Sequence, residues 1–448
     1  MRPATRGILA GVVAVIVIAA VGGFWVLRGP RPMAFAVGPK VDLADYKAGD
    51  PTGVPTSLAK ASLVERGEYL AKAADCMVCH TAPGGKEYAG GLGFKLPFGT
   101  LYSTNITPDK DTGIGNYSDQ EFLNALHRGV RRDGARLYPA MPYTSYTYIT
   151  GADALAIKAY LFSLPPVHAT APANTLTFPF NQRWGMMFWS ALFNPDTRFE
   201  PNTSKTSEWN RGAYLAEALA HCGECHTPRN LAFALDNRKK FGGAFAAGWR
   251  AFNISSDKTT GIGGWSDNDL LSYLSIGHAR GHGTASGPMG EAVDQSFSQL
   301  APEDVRAIVA YLRSVPASAS SDLKARLARA APASHREGVT SDARGKMVFE
   351  GACVSCHGWS GESPVSSLAT LTGARAVNDP SATNVAQSVI TGTKGNTPKG
   401  AISMPAFGNA YSDDEIAAVA NYVTARFGSK GSHMTASDVA ALRKQTSN

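Results

Sequence analysis

The hydrophobic pattern of this chain changes texture three times. Between Gly7 and Leu27 lie 21 consecutive residues without a charge, close to the ~20 that cross a bilayer as a helix. Arg2, Arg6, Arg28 and Arg31 flank the run, and Trp25 stands near its end, where interfacial aromatics collect. Ala34-Phe35-Ala36 resembles a signal-cleavage site, but a secretory signal has a shorter apolar stretch. The length predicts a retained membrane helix within residues 1–32, and either reading exports the rest of the chain.

From residue 60 onward the apolar positions recur at helical spacing in short segments, and the arrangement is repeated three times. Each copy opens with an Arg-Gly pair: Arg66-Gly67, Arg211-Gly212 and Arg344-Gly345. Each closes with an apolar helix bearing an aromatic: Tyr160, Tyr311 and Tyr422. Thr150 with Asp153, and Ser412 with Glu415, fit capping boxes at the closing helices, and Pro302 suits a first helical turn. Ser118 with Glu121 marks a further helix start. The predicted order in each copy is helix, loop, helix, loop, helix, an all-α architecture.

The third texture is the stretch Phe178–Phe193, FPFNQRWGMMFWSALF, apolar on nearly every helical face from Arg183 onward. It is too short to span a bilayer. It fits a helix in a membrane interface or against a partner subunit, and equally a helix packed between domains. The organisation is therefore an anchor or signal in 1–32, domains in 60–166, 207–316 and 341–428, linkers in 167–206 and 317–340, and a tail in 429–448. The second linker is rich in Ala and Ser, and the domain beyond it is expected to hold the most independent position.

The cysteines supply the chemistry. All 6 fall in three copies of one motif: Cys76-Met77-Val78-Cys79-His80, Cys222-Gly223-Glu224-Cys225-His226 and Cys353-Val354-Ser355-Cys356-His357. C-x-x-C-H is the attachment signal for haem c, in which two thiols bond the porphyrin and the histidine ligates iron. A zinc site would need such pairs to come together two by two, leaving one over. A redox dithiol has no need of the histidine. Three covalently bound haems c are the expectation, with Cys76, Cys79, Cys222, Cys225, Cys353 and Cys356 as attachment points and His80, His226 and His357 as ligands.

The copies also share a methionine register. Gly129, Gly277 and Gly392 each precede a methionine by twelve residues: Met141, Met289 and Met404. Most methionines only fill a core. Three in one register, each downstream of its own C-x-x-C-H, are expected as sixth iron ligands, and neighbouring Pro142, Pro288 and Pro405 would stiffen the ligand loops. His127, His278, His282 and His221 recur in no common register, so solvent-facing or propionate-contacting roles are expected of them. Copies one and two share a loop, Asn105-Ile106-Thr107 with Gly113 and Gly115 against Asn253-Ile254-Ser255 with Gly261 and Gly263. With no preceding strand and no dinucleotide fingerprint it reads as a turn beside the haem.

The net charge of +7 comes from scattered basic residues, and the propionates of three haems, roughly six charges, would offset most of it. No nucleic-acid partner is implied, and no dehydrogenase chemistry is visible in the chain.

The triple motif, with Trp209–Leu215, His221–Asn230 (HCGECHTPRN) and Gly287-Pro288-Met289-Gly290, resembles the cytochrome c subunit of bacterial membrane-bound dehydrogenases over about residues 60 to 428. That resemblance implies three class I-like cytochrome c domains; the N-terminal transmembrane helix read from the apolar run is a departure, since many relatives look secreted with a cleavable signal. It implies a redox subunit, no enzyme alone, at the periplasmic face of the bacterial inner membrane. Its partner would be a catalytic subunit of molybdenum, quinoprotein or flavin type, oxidising an aldehyde, alcohol or sugar acid, and its acceptor ubiquinone. The retained helix leans the reading towards the aldehyde branch. A donor to a terminal oxidase, or a haem peroxidase with an open iron, are the competing classes.

Overall fold

Several helices in this chain start at small polar caps, and two stop at left-handed glycines. The computed structural model describes residues 22–23, 27–318, 343–397 and 400–446. In the first copy, α1 (Leu63–Ala73) opens on a Ser62–Glu65 capping box. Next, α2 (Asp119–Arg128) opens on Ser118–Glu121 and ends at Gly129, with φ 60°. Then α3 (Gly151–Ser163) is capped by the Thr150 hydroxyl, and α4 (Gly185–Phe193) leads out. The second copy follows with α5 (Ser207–Tyr214), α6 (Asp267–Ile276), α7 (Pro288–Gln295) and α8 (Pro302–Ser314). The third contains α9 (Ala343–Val348), α10 (Thr383–Thr391) and α11 (Asp413–Phe427), with α12 (Ala436–Gln445) in the segment beyond.

The Arg-Gly pairs gain a physical meaning where the first and last helices of each copy cross. A Cβ on Gly67 would lie 1.9 Å from the Ala156 carbonyl oxygen, one on Gly212 1.8 Å from Ala307, and one on Gly345 2.3 Å from Ala418. In all three crossings the Cβ of the closing aromatic, Tyr160, Tyr311 or Tyr422, is also only 2.9 Å away. Only glycine permits so close an approach of backbones. In the second and third copies a π-helical turn, Leu215–Leu219 or Phe349–Cys353, follows the opening helix.

The first two copies are locked together by a reciprocal latch. Tyr69 donates to the Asp304 carboxylate (2.6 Å) and accepts from the Ala301 amide (3.1 Å). Tyr214 donates to Asp153 (2.5 Å) and accepts from the Thr150 amide (3.3 Å). These are the same positions of the repeat with the copies exchanged, so the pair has approximate two-fold symmetry. Arg211 adds a bidentate pair to Asp304 at 2.8 and 2.6 Å. The expected Thr150–Asp153 capping box is therefore half made, because the Asp153 carboxylate serves Tyr214 and the Gly53 amide instead.

In the third copy Met347 stands at the tyrosine position and is 67% exposed. This copy has a core of its own, around Phe349, Ala386, Ile416, Ala420 and Val439, while the other two share one continuous core. It meets the second copy through polar contacts: Arg250 faces Asp379 (3.5 Å), Asn384 bonds both the amide and the carbonyl of Arg250, and Arg375 reaches the carbonyls of Asn253 and Thr260. Val439 in α12 is fully buried, so residues 436–445 belong to this core.

Two expectations are corrected. The chain is not purely helical: among the described residues four antiparallel two-stranded ribbons pair β1 (Gly93–Leu96) with β2 (Gly99–Tyr102), β3 (Ala244–Ala246) with β4 (Trp249–Ala251), β5 (His278–Ala279) with β6 (Gly283–Thr284), and β7 (Thr393–Thr397) with β8 (Gly400–Met404). Strands of two to five residues are too short to imprint a period of two. The N-terminal transmembrane helix is likewise not shown. Among the described residues no helix is long and apolar enough to cross a membrane, so an integral inner-membrane location is not supported. Of the Gly7–Leu27 run only Gly22, Gly23 and Leu27 are described. Just after it Gly29, Pro30 and Pro32 break the helix, and Leu27 is held by a bond from Asn230 (2.8 Å). Most of the 317–340 linker also lies outside the described residues.

Replacing Gly67, Gly212 or Gly345 by alanine is expected to lower stability by about 3 kcal/mol through overpacking. Tyr69→Phe and Tyr214→Phe are each expected to lower it by about 1–2 kcal/mol, by leaving a buried carboxylate short of a donor. Denaturant unfolding of the full chain measures both effects.

Candidate functional site

Each C-x-x-C-H motif forms a single helical turn directly after the opening helix: Cys76–Cys79, Gly223–His226 and Val354–His357. The turn sets the three histidines in one orientation. His80 Nδ1 lies 2.7 Å from the Thr104 carbonyl, His226 Nδ1 2.6 Å from that of Phe252, and His357 Nδ1 2.6 Å from that of Ala369. A carbonyl can only accept, so Nδ1 carries the proton and Nε2 keeps its lone pair, the form in which imidazole binds a metal. Burial lowers the pKa of all three rings, that of His226 to about 4.

Glycines make room for this arrangement. Gly90 and Gly243 donate their amides to the His80 and His226 carbonyls at 2.7 and 2.8 Å. A Cβ on Gly90 would lie 2.5 Å from the Thr104 main chain, and one on Gly243 2.9 Å from the Asn253 amide. The shared glycine loop is a closed turn just beyond the histidine's acceptor. Asn105 bonds Thr112 and the Val167 carbonyl, and Asn253 bonds Thr260 and the Ser318 carbonyl.

All six thiols are free. Burial pushes Cys76 and Cys222 up to about 12, and Cys225 and Cys353 up to about 11. A redox dithiol works with a depressed thiol, so these environments do not suit one. Free paired thiols, a following histidine with Nε2 available and apolar surroundings do fit covalent haem c.

The methionine register is a helix-capping register. Gly129 and Gly277 are left-handed C-caps of α2 and α6, and Gly392, φ 68°, ends α10. A ribbon or bridge then returns the chain: Val130 opposite Arg136, β5 with β6, and β7 with β8, in which Thr393 faces Met404. Met141 and Met289 pack on the core that also holds Cys76 and Cys222, and Met404 on the core that holds Cys353. Met289 lies in the first turn of α7 rather than in a loop.

The motifs of the first two copies also meet each other. Thr144 and Ser145, just past Met141, each contact Glu224 inside the second motif at 3.3 Å. Reciprocally α7, which carries Met289, lies against the first motif's turn. The ribbon before Met289 reaches the third motif: His278 bonds Thr284 (3.0 Å), which donates to the Leu368 carbonyl (2.8 Å), next to the Ala369 acceptor of His357. The second copy thus touches the motif regions of both the first and the third.

The remaining histidines take varied places. His282 stacks on Trp265 at 3.8 Å, and His221 is set edge-on to Tyr146 at 5.4 Å. His127 is buried, not solvent-facing, and its Nε2 has no partner. Sequence reasoning did not name the carbonyl acceptors, which any residue could provide, nor Glu224. The Tyr–Asp latch was readable, since Tyr69 and Tyr214 both stand two residues after the crossing glycine. In α4, Trp189 donates to the Ala232 carbonyl (2.7 Å) and meets Tyr143 edge-on, so this face packs between the copies, while Trp184, Met187 and Phe188 are exposed.

Comparison with known proteins gives concordant matches. A family profile described as Cytochrome c matches residues 343–426. The chain is 38% identical over 414 residues to the fructose dehydrogenase cytochrome subunit of Gluconobacter japonicus, covering 88% of this chain and 85% of that protein. It is 38% identical over 404 residues to the gluconate 2-dehydrogenase cytochrome c subunit of Pantoea cypripedii, covering 86% and 90%. It is 36% identical over 400 residues to the cytochrome c subunit of alcohol dehydrogenase (quinone) from Gluconobacter oxydans, covering 86% and 83%.

His127 gives a pH prediction. Burial, with the nearby Arg198 charge, lowers its pKa to about 4, below about 6.5 in the unfolded chain. Between these values the unfolded state binds the extra proton, so stability is full above pH 6.5 and falls towards pH 4, by up to roughly 3 kcal/mol from this group. Unfolding of His127→Gln across that range is expected to show a correspondingly shallower loss than the parent.

Proposed function

We propose that this chain, which belongs to the family of dehydrogenase cytochrome c subunits, binds three haems c and passes electrons from its catalytic partner to a quinone. It is an electron-transfer subunit of a dehydrogenase complex and no enzyme by itself. The observation that carries the count of three is the common histidine geometry, with His80, His226 and His357 all bonded through Nδ1 to a main-chain carbonyl. The units are residues 60–166, 207–316 and 341–428.

A bound haem c supplies reversible one-electron chemistry at its iron. The residues do the rest. Cys76 with Cys79, Cys222 with Cys225, and Cys353 with Cys356 would hold the haems through thioether links. The three histidines present Nε2, each ring fixed in direction and made more basic by its carbonyl partner. Met141, Met289 and Met404 would hold the iron together with the histidines, and such ligation would raise the potential and leave no open position for oxygen or peroxide. Apolar packing around the motifs excludes water and further favours the reduced, less charged state.

The names of the relatives support a catalytic partner acting on an alcohol, a sugar or a sugar acid. One relative's name contains quinone, which supports a quinone as acceptor. The aldehyde branch had rested on the N-terminal helix and has no support among the described residues.

Purification of the chain with its native assembly is expected to bring a large catalytic subunit, and substrate added to that preparation to reduce the haems and then a soluble quinone. A chain that purifies alone, or whose haems ignore every alcohol, sugar and sugar acid tested, contradicts the proposal. Met404→Ala is expected to lower the potential of one haem and leave the other two unchanged in a redox titration.

A further inference from the structure

The approximate two-fold symmetry of the first two copies creates twin surfaces behind the first and second motifs, and among the described residues only one twin is filled by this chain. On the second copy, Met33 to Ala36 lies over the helix crossing. Met33 and Ala36 are buried, the Phe35 ring is 6.0 Å from that of Tyr311, and Asn202 donates to the Ala36 carbonyl (3.2 Å). Beneath this cover Lys240 pairs with Glu217 at 2.7 Å, and Tyr311 donates to Glu217 at 2.5 Å. Arg31, four residues before Phe35, places its charge close to Tyr148 at the edge of the same site.

Moved to the first copy by the repeat, Tyr311 becomes Tyr160, Glu217 becomes Lys72, Lys240 becomes Glu87, and Tyr148 becomes Gln299. These four residues, with Glu68 and Cys76, line a cleft of ≈ 250 Å³. The two charges that pair in the filled twin are reversed here, and Lys72 turns to Glu68 instead (2.7 Å). The cleft is not the haem crevice, because its twin is occupied by protein.

We propose that this cleft seats an aromatic side chain of the catalytic dehydrogenase subunit, carried on an extended segment with an Arg or Lys nearby, as Phe35 and Arg31 are seated on the twin. The acidic side chains Glu68 and Glu87 outnumber Lys72 in the lining, so a basic segment is complementary. Such an anchor would fasten the partner beside the first motif, and this inference rests on the reading of the chain as a dehydrogenase subunit.

The test uses the intact assembly. A photo-crosslinking amino acid in place of Gln299, an exposed position, is expected to join the chain to one segment of the catalytic subunit containing an aromatic and a basic residue. Gln299→Trp, which fills the cleft, and Glu87→Lys, which reverses its charge, are each expected to weaken association with the catalytic subunit about tenfold or more, with the haem spectrum unchanged. Cross-links to an added quinone or only within this chain, or association unchanged in both variants, overturn the inference. If substrate still reduces the haems in that case, the dehydrogenase reading stands and the inference alone falls. If the assembly shows no substrate-driven haem reduction, both fall together.

Discussion

A carbonyl oxygen of one helix occupies the place where a side chain of the other would begin. This contact, Gly67 on Ala156, Gly212 on Ala307 and Gly345 on Ala418, fixes the crossing of the first and last helices in every copy. Since the C-x-x-C-H turn follows the first helix directly, the crossing also fixes where the thiols and the histidine stand. The closing tyrosine, four residues beyond the alanine, packs over the glycine and leaves the crossing little freedom to slide.

One fold used three times yields two kinds of assembly, and the difference comes down to a few side chains. With tyrosine two residues after the glycine and aspartate three before the alanine, the first two copies exchange hydrogen bonds and merge their cores. With Met347 at that position, the third copy keeps a separate core and docks through Arg250, Arg375 and Asn384. Direct burial of tyrosine–carboxylate pairs suits a permanent junction. A polar junction that uses main-chain acceptors suits a unit added to one side of a finished pair.

Much of this was legible because the chain contains its own comparison. The Arg-Gly pairs, the motifs and the glycine-to-methionine spacing appear three times, and the structure turns each into a contact or a cap. What stayed hidden had no side-chain signature. The carbonyls of Thr104, Phe252 and Ala369 that orient the histidines are main-chain groups, and the ribbons are too short for an alternating pattern. Of the two roles expected of His127, the solvent-facing one is excluded, because its place on the inner face of α2 buries it. The membrane helix was read from apolar composition, and among the described residues no such helix exists.

Haem quantification combined with low-temperature electron paramagnetic resonance of the oxidised full chain tests the central claim most directly. The account predicts three irons per chain, all low-spin, as histidine and methionine ligation of each would give. Fewer than three haems per chain, or a high-spin signal from an iron with an open axial position, would contradict it.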